Sequence, residues 1–413
     1  MIKPGIWQGL RRGLRSVTPF PIRRRLLNLV RGSSRAELSV SGLTIPPSES
    51  SDIICFPIID WDLRFQRPQQ LLTQFARDGH RVFYLHSTFH QSGPSAFVQR
   101  LSDNIYRVRL PGPKGLDSLY QEEIDEQALT QMQAALAELC EGVNLRSGLS
   151  LVQFPFWAAL ALRCRETWGW QIIYDCLDEH GGFRNIASSV LQQEESIIAN
   201  SDLVLATSQS LYDKVAPTAR RVLYLPNATD FEHFNRATSV QPLSGLGHPM
   251  IGYYGAISDW FDTEMIRVAA VARPAWQFVL IGEVTGADVS QLERLENVHL
   301  LGEVPYAMLP NYLHQFDISC IPFLLTPLTL ATNPVKFFEY LSAGKPVVSV
   351  SLPELEPYRD YFYSVRSGQD LIAQVELAIA EQSAEKTRAR IDFARQNTWS
   401  RRYADLKAAL KLL

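Results

Sequence analysis

The chain of 413 residues predicts an α/β protein built from two doubly wound, parallel-sheet domains. Three observations predict it. Across 52–226, short apolar, β-branched runs alternate with segments whose apolar residues recur at helical spacing. Across 227–249 apolar residues become sparse and the stretch ends in GLGHP, the composition of a connection. From Met250 the alternation resumes, with short runs consistent with strands covered on both faces.

Composition and charge narrow the class. Apolar residues make up 46% and charged residues 20%, the balance of a folded protein rather than a disordered one. No apolar run approaches the ~20 residues that span a bilayer. The start is basic but lacks the apolar stretch and cleavage site of a signal peptide, so none is expected. Cys55, Cys140, Cys164, Cys176 and Cys320 form no CxxC pair and fall mostly in strands or helices. Free buried thiols in a reducing cytoplasm are therefore expected.

The net charge of −3 conceals an asymmetry. Residues 1–36 hold nine Lys or Arg and no acid, leaving 31 basic against 43 acidic residues beyond them. Trp7, Leu10, Leu14, Phe20 and Leu26 are interleaved with those charges. Such an arm suits an anionic membrane surface, on the inner face of the cell membrane. Nucleic acid is the rival partner, and the acidic remainder speaks against it. A domain-packed or disordered tail is the plainer reading. Together with a Ser-, Gly- and Pro-rich linker, the arm occupies 1–51.

The first domain, 52–226, opens with a strand at 52–57. Pro68 starts a helix carrying Leu71, Leu72 and Phe75, Gly79 ends it, and 81–85 forms the next strand. This is a right-handed parallel unit. Strands are predicted at 105–110, 149–154, 171–175, 203–207 and 222–225, and helices at 117–140, 157–168, 185–200 and 209–215. The second domain, 250–395, begins with strand 250–254, closed by Gly255. Helix 263–272, strands 276–281 and 298–300, helix 306–316 and strand 318–322 follow. Beyond residue 368 the chain reads as mostly helical.

The stretch TNPVKFFEYLSAGKPVVS, 332–349, carries the strongest local signal. Asn333 is a candidate N-cap, Pro334 suits the first helical position, and Gly344 can end the helix in the left-handed conformation. Val347, Val348 and Val350 then form a covered strand. The helix start, Asn333, Pro334, Val335 and Lys336, makes an anion site from free amides, dipole and ammonium. Glu339 stands one turn on, placed to accept hydrogen bonds from a ribose diol. The rival reading is a solvated Lys336–Glu339 pair.

Other clusters lie at strand ends. Asp60, Arg64, Gln66 and Arg67 follow the first strand, where arginines suit a phosphate or carboxylate; helix capping is the alternative. Asp175, Asp178, Glu179 and His180 follow another strand, and one carboxylate there could act on an acceptor hydroxyl, or the four could merely organise the loop. Gly252, Gly255 and Ala256 would let the backbone approach a ligand. There is no GxGxxG after the first strand and no GxxxxGK[ST], which disfavours dinucleotide and P-loop sites. Asp60-Trp61-Asp62 is formally a DxD, but its position does not suggest a metal site. No cofactor is expected.

NPVKFFEYLSAGKPVVS resembles the C-terminal signature of bacterial retaining glycosyltransferases of GT-B architecture, glycosyltransferase family 4-like, with two Rossmann-like domains facing a cleft. DWDLRFQRPQQLLTQFARDGHRVFYLH resembles the first strand-loop-helix-strand unit of the teichuronic-acid-type branch. YDCLDEHGGF, DLVLATS, LPNATDFEHF and IGYYGAISDWFD recur in that order, so the resemblance covers about 52–399.

The resemblance implies a nucleotide-sugar bound mainly by the second domain, through Glu339, Asn333, Pro334, Val335, Gly255 and Ala256. Lys336 would stabilise the leaving diphosphate; from the cluster after strand 171–175, Asp178 is the catalytic candidate, without a general base assigned. A glycan or lipid-linked acceptor would face Asp60, Arg64, Gln66 and Arg67. Transfer would be metal-independent and retaining, in cell-surface polysaccharide synthesis, with the last segment, 396–413, crossing back to the first domain. Two departures stand out. Ala331 replaces a Glu that many relatives carry, and GAISDWFDTEM lacks the Arg/Lys pair that holds a diphosphate. An epimerase of the same fold and a catalytically silent scaffold are the alternatives.

Overall fold

A computed structural model describes residues 37–40, 45–112, 120, 123–183, 186–236, 238–381 and 383–412. The basic arm, and with it the membrane reading of 1–36, lies outside the described residues. The strands run β1 (Leu38–Ser39), β2 (Asp52–Phe56), β3 (Val82–Leu85), β4 (Phe97–Ser102), β5 (Ile105–Arg109), β6 (Gly148–Val152), β7 (Gln171–Cys176), β8 (Leu203–Ala206) and β9 (Val222–Tyr224). They form one sheet of order β1-β4-β5-β3-β2-β6-β7-β8-β9. A second sheet takes β10 (Met250–Tyr254), β11 (Gln277–Ile281), β12 (Val298–Gly302), β13 (Ile318–Ile321), β14 (Val347–Val350) and β15 (Phe362–Val365), in the order β12-β11-β10-β13-β14-β15.

All pairings in the second sheet are parallel, and in the first only the two pairings of β4, with β1 and with β5, are antiparallel. Each sheet therefore carries the doubly wound order, in which the first strand lies between strands leading to opposite edges. Ligands bind beyond the carboxyl ends of the strands at that reversal. Here the reversals fall beside β2 and β6, and beside β10 and β13. The fold expectation holds, while β1, β4 and β15 escaped it. The expected helix 306–316 is shorter: a 3-10 turn, Tyr306–Met308, leads into Leu309–Leu313. Of the expected helix 117–140, the described part runs Glu126–Gly142.

Packing follows from the patterning. Strands β2, β3, β6, β8, β10, β13 and β14 are buried along their whole length. All five cysteines are buried and free. The last helix, Trp399–Leu410, lies on the helix Arg67–Arg77: Tyr403 stacks edge-on against Phe75 at 4.9 Å, and its hydroxyl and the Lys407 ammonium bond to Asp78 at 2.8 and 2.6 Å. Trp399 is buried in the same apolar cluster as Ile53, Leu151 and Leu225. No helix among the described residues is long and apolar enough to cross a membrane.

Candidate active site

The helix Val335–Ser342 starts one residue later than expected. Pro334, not Asn333, is its N-cap, and Phe337 N–H bonds to the Pro334 carbonyl at 3.0 Å. Asn333 is used otherwise. Its Oδ1 accepts the Asn227 N–H at 3.1 Å, its carbonyl accepts from Asn227 Nδ2 at 2.6 Å, and its Nδ2 donates to Glu354 Oε2 at 2.9 Å. Glu354, nearly buried, also accepts from the Gln209 N–H and the Tyr224 hydroxyl, so Asn333 and Glu354 join the two halves. The expected cap failed because a better set of partners lay outside the helix. Val335 packs on the first domain's apolar cluster. Ala331, 3% exposed, packs in another cluster of that domain. The helix end agrees with expectation: Gly344 has φ +69°, and the N–H groups of Gly344 and Lys345 bond to Leu341 and Tyr340 carbonyls.

Lys336 and Glu339 are not a solvated pair. Glu339 is 6% exposed and Lys336 is half-buried. The Lys336 ammonium stands over the Phe323 and Tyr253 rings at 4.9 and 5.4 Å. Removal from water lowers its pKa to about 8, aided by the Arg64 charge and opposed by Glu339. Burial raises the Glu339 carboxyl to about 7, against the pull of the Tyr254 hydroxyl and Lys336. Tyr306, whose hydroxyl is raised by burial and by the Glu339 charge, closes the same space.

Gly255 ends β10 with φ +139°, and a Cβ there would stand 3.1 Å from Lys336 Cε. The Ala256 carbonyl accepts from the Tyr253 hydroxyl at 2.8 Å, fixing the turn. Gly252 serves packing rather than ligand approach, because a Cβ there would lie 2.1 Å from the Phe316 ring. Gly252→Ala is expected to cost about 1–3 kcal/mol of stability through overpacking. Unchanged nucleotide affinity in the folded fraction, beside a lowered urea midpoint, would check that assignment.

The first-domain candidates separate. Arg67, 4% exposed, does not point freely into the cleft. Its Nε and Nη2 grip Asp175 at 2.8–3.2 Å, and Nη1 bonds to the Leu225 carbonyl at 2.8 Å. Asp60 Oδ1 accepts from Ser87 N–H and Oγ at 2.9 and 2.5 Å, tying the loops after β2 and β3. Gln66 precedes the helix, and its N–H bonds to Gln69 Oε1 at 3.0 Å. Arg64 reaches the second domain, with Nε 3.1 Å from Glu303 Oε1.

Around β7 the four polar residues also part. Asp175 belongs to Arg67, Glu179 accepts from Lys214 at 2.8 Å, and the buried His180 ring packs edge-on against Phe154 at 5.3 Å. Asp178 is left partly buried, its pKa raised to about 6 by burial and the Asp175 charge, with Arg67 opposing. Among the described residues no three His, Cys, Asp or Glu side chains converge as a metal site. Tyr254, Tyr306 and Glu303 escaped the sequence reading. The signal for the last two was their place just beyond β12, at a carboxyl end.

Residues 248–380 match the family described as "Glycosyl transferases group 1". TuaH of Bacillus subtilis (strain 168), named as a teichuronic acid biosynthesis glycosyltransferase, is 31% identical over 254 residues, 56% of this chain. The chain thus spans about 64% of that relative's length. Among solved structures, sucrose-phosphate synthase from Thermosynechococcus elongatus aligns with a TM-score of 0.68 at 14% identity, covering 88% of this chain and 99% of that one. Anabaena HepE in complex with UDP and glucose aligns with a TM-score of 0.65 at 14% identity, covering 88% and 100%. These structural likenesses show the GT-B fold.

Proposed function

We propose that the protein is a nucleotide-sugar-dependent glycosyltransferase of cell-surface polysaccharide synthesis, transferring with retention to a glycan or lipid-linked acceptor. The observation that carries the reading is the withdrawal of Lys336 and Glu339 from water on one helix, beside Gly255 at the carboxyl end of β10. A half-buried ammonium and a buried carboxylate one turn apart match a diphosphate and a ribose diol. Uncompensated, they would only cost stability.

In this reading 250–395 holds the donor and 52–226 the acceptor, with 227–249 joining them and 396–413 returning. The first-turn amides and Lys336 stabilise charge that builds on the departing diphosphate, a preorganised electrostatic role. Asp178, with its pKa near 6, is mostly ionised at neutral pH and can take an acceptor proton. Ala331 sits against first-domain apolar side chains, so the donor sugar is held without the carboxylate many relatives use. The arm 1–36 carries the protein to the inner face of the cell membrane.

A panel of UDP-, ADP- and GDP-sugars tests the reading by thermal stabilisation and product analysis. At least one sugar nucleotide is expected to raise the melting temperature and, with a glycan or lipid-linked acceptor, to release nucleoside diphosphate. A sugar altered but still nucleotide-bound would identify an epimerase. No stabilisation by any nucleotide or sugar nucleotide would sink the donor site and favour a silent scaffold.

A further inference from the structure

We infer that Arg64, on the domain opposite the donor helix, is the second cation of the diphosphate site, and that Glu303 is its internal stand-in anion. The inference rests on the donor-site reading above and adds a residue to it.

A nucleotide-sugar diphosphate carries about two negative charges, and Lys336 supplies one positive charge. From Gly255 to Met265 the second domain offers no Lys or Arg; its charged residues there are Asp259, Asp262 and Glu264. The missing cation must therefore come from another segment. Arg64 follows β2, at the reversal of the first sheet, and crosses to the second domain. Its charge adds to the burial that lowers the Lys336 pKa and opposes the burial that raises the Tyr253 hydroxyl, so the Arg64 guanidinium faces the space these two line.

Among the described residues, only Nε of Arg64 is engaged. It bonds to Glu303 at 3.1 Å, while neither Nη makes a hydrogen bond to another described residue. A planar fork with free donors suits the two oxygens of a phosphate better than a lone carboxylate oxygen. The pair is about a quarter exposed on each side, a weak contact that a diphosphate can displace. Two contacts hold the segments together beside it: Gln70 Nε2 donates to the Tyr306 hydroxyl at 2.8 Å, and the Phe65 and Tyr306 rings lie 5.0 Å apart. Exchange at Arg64 can thus occur with the domains still in contact.

Calorimetry on the full chain tests this with UDP, ADP and GDP and with the corresponding nucleosides. Arg64→Ala is expected to weaken the bound diphosphate roughly tenfold or more, while its nucleoside changes less than about twofold. Glu303→Gln is expected to tighten the diphosphate by up to about fivefold, and this gain should vanish in the Arg64→Ala background. Wild-type diphosphate affinity in Arg64→Ala, or an equal loss for nucleoside, would overturn the inference. So would a loss confined to acceptor use, which would return Arg64 to the acceptor side. If none of the three diphosphates binds the wild type, the donor-site reading fails first and takes the inference with it.

Discussion

Arg67→Ala is expected to lower stability by about 3–5 kcal/mol, read as a fall in the urea midpoint, because it strands a buried carboxylate. Asp175 has a fully buried side chain, and its remaining contact is Gln153 Nε2 at 3.4 Å, too long to replace a bidentate guanidinium. Arg67 also bonds the Leu225 carbonyl, so its loss frees a second buried acceptor. The double variant Arg67→Met with Asp175→Asn should recover part of the loss, since no unpaired charge remains. Arg67 lowers the Asp178 pKa, and its removal should move any acid limb of turnover that Asp178 controls to higher pH. An unchanged urea midpoint in Arg67→Ala would show that the pair does not stabilise the fold.

Local patterns made most of the second domain legible. Val347 to Val350 is buried on both faces and could only be a covered strand, and Gly344 ended its helix as a left-handed residue must. By contrast, β4 runs Phe97, Val98, Gln99 and Arg100, two apolar then two polar residues near the edge of a sheet, a run without strand alternation that also fits a loop. The carboxyl end of β2 was recognisable as a site, yet the separate roles of Arg64 and Arg67 were not. Arg67 finds Asp175 across 108 residues, and Arg64 finds Glu303 across 239. Those partners depend on strand order and on how two domains meet, which neither periodicity nor capping encodes. Asn333 shows the same limit, since its interdomain bonds outweighed the cap its position suggested.

Nucleoside diphosphate affinity is expected to follow a bell against pH, highest between about 7 and 8. The acid limb belongs to Glu339. Ribose hydroxyls donate to a carboxylate, so bound ligand favours the ionised form, and affinity falls as pH drops below the free-protein value of about 7. The alkaline limb belongs to Lys336. A diphosphate favours the ammonium, so affinity falls as pH rises above about 8. In the unliganded protein both shifts oppose folding. The Glu339 shift costs stability as pH rises from 4.5 towards 7, and the Lys336 shift as pH falls from 10.5 towards 8. Glu339→Ala should weaken diphosphate and sugar nucleotide alike by about 10- to 150-fold, the loss of one charge-assisted hydrogen bond at ~1.5–3 kcal/mol. Glu339→Gln should abolish the acid limb while keeping the shape of the site. Lys336→Ala should abolish the alkaline limb and lower turnover more than binding, because the charge it meets grows as the diphosphate departs. Calorimetric titrations from pH 6 to 9 separate the two limbs. A flat profile in the wild type, or two limbs that survive both substitutions, would remove this helix from the nucleotide site.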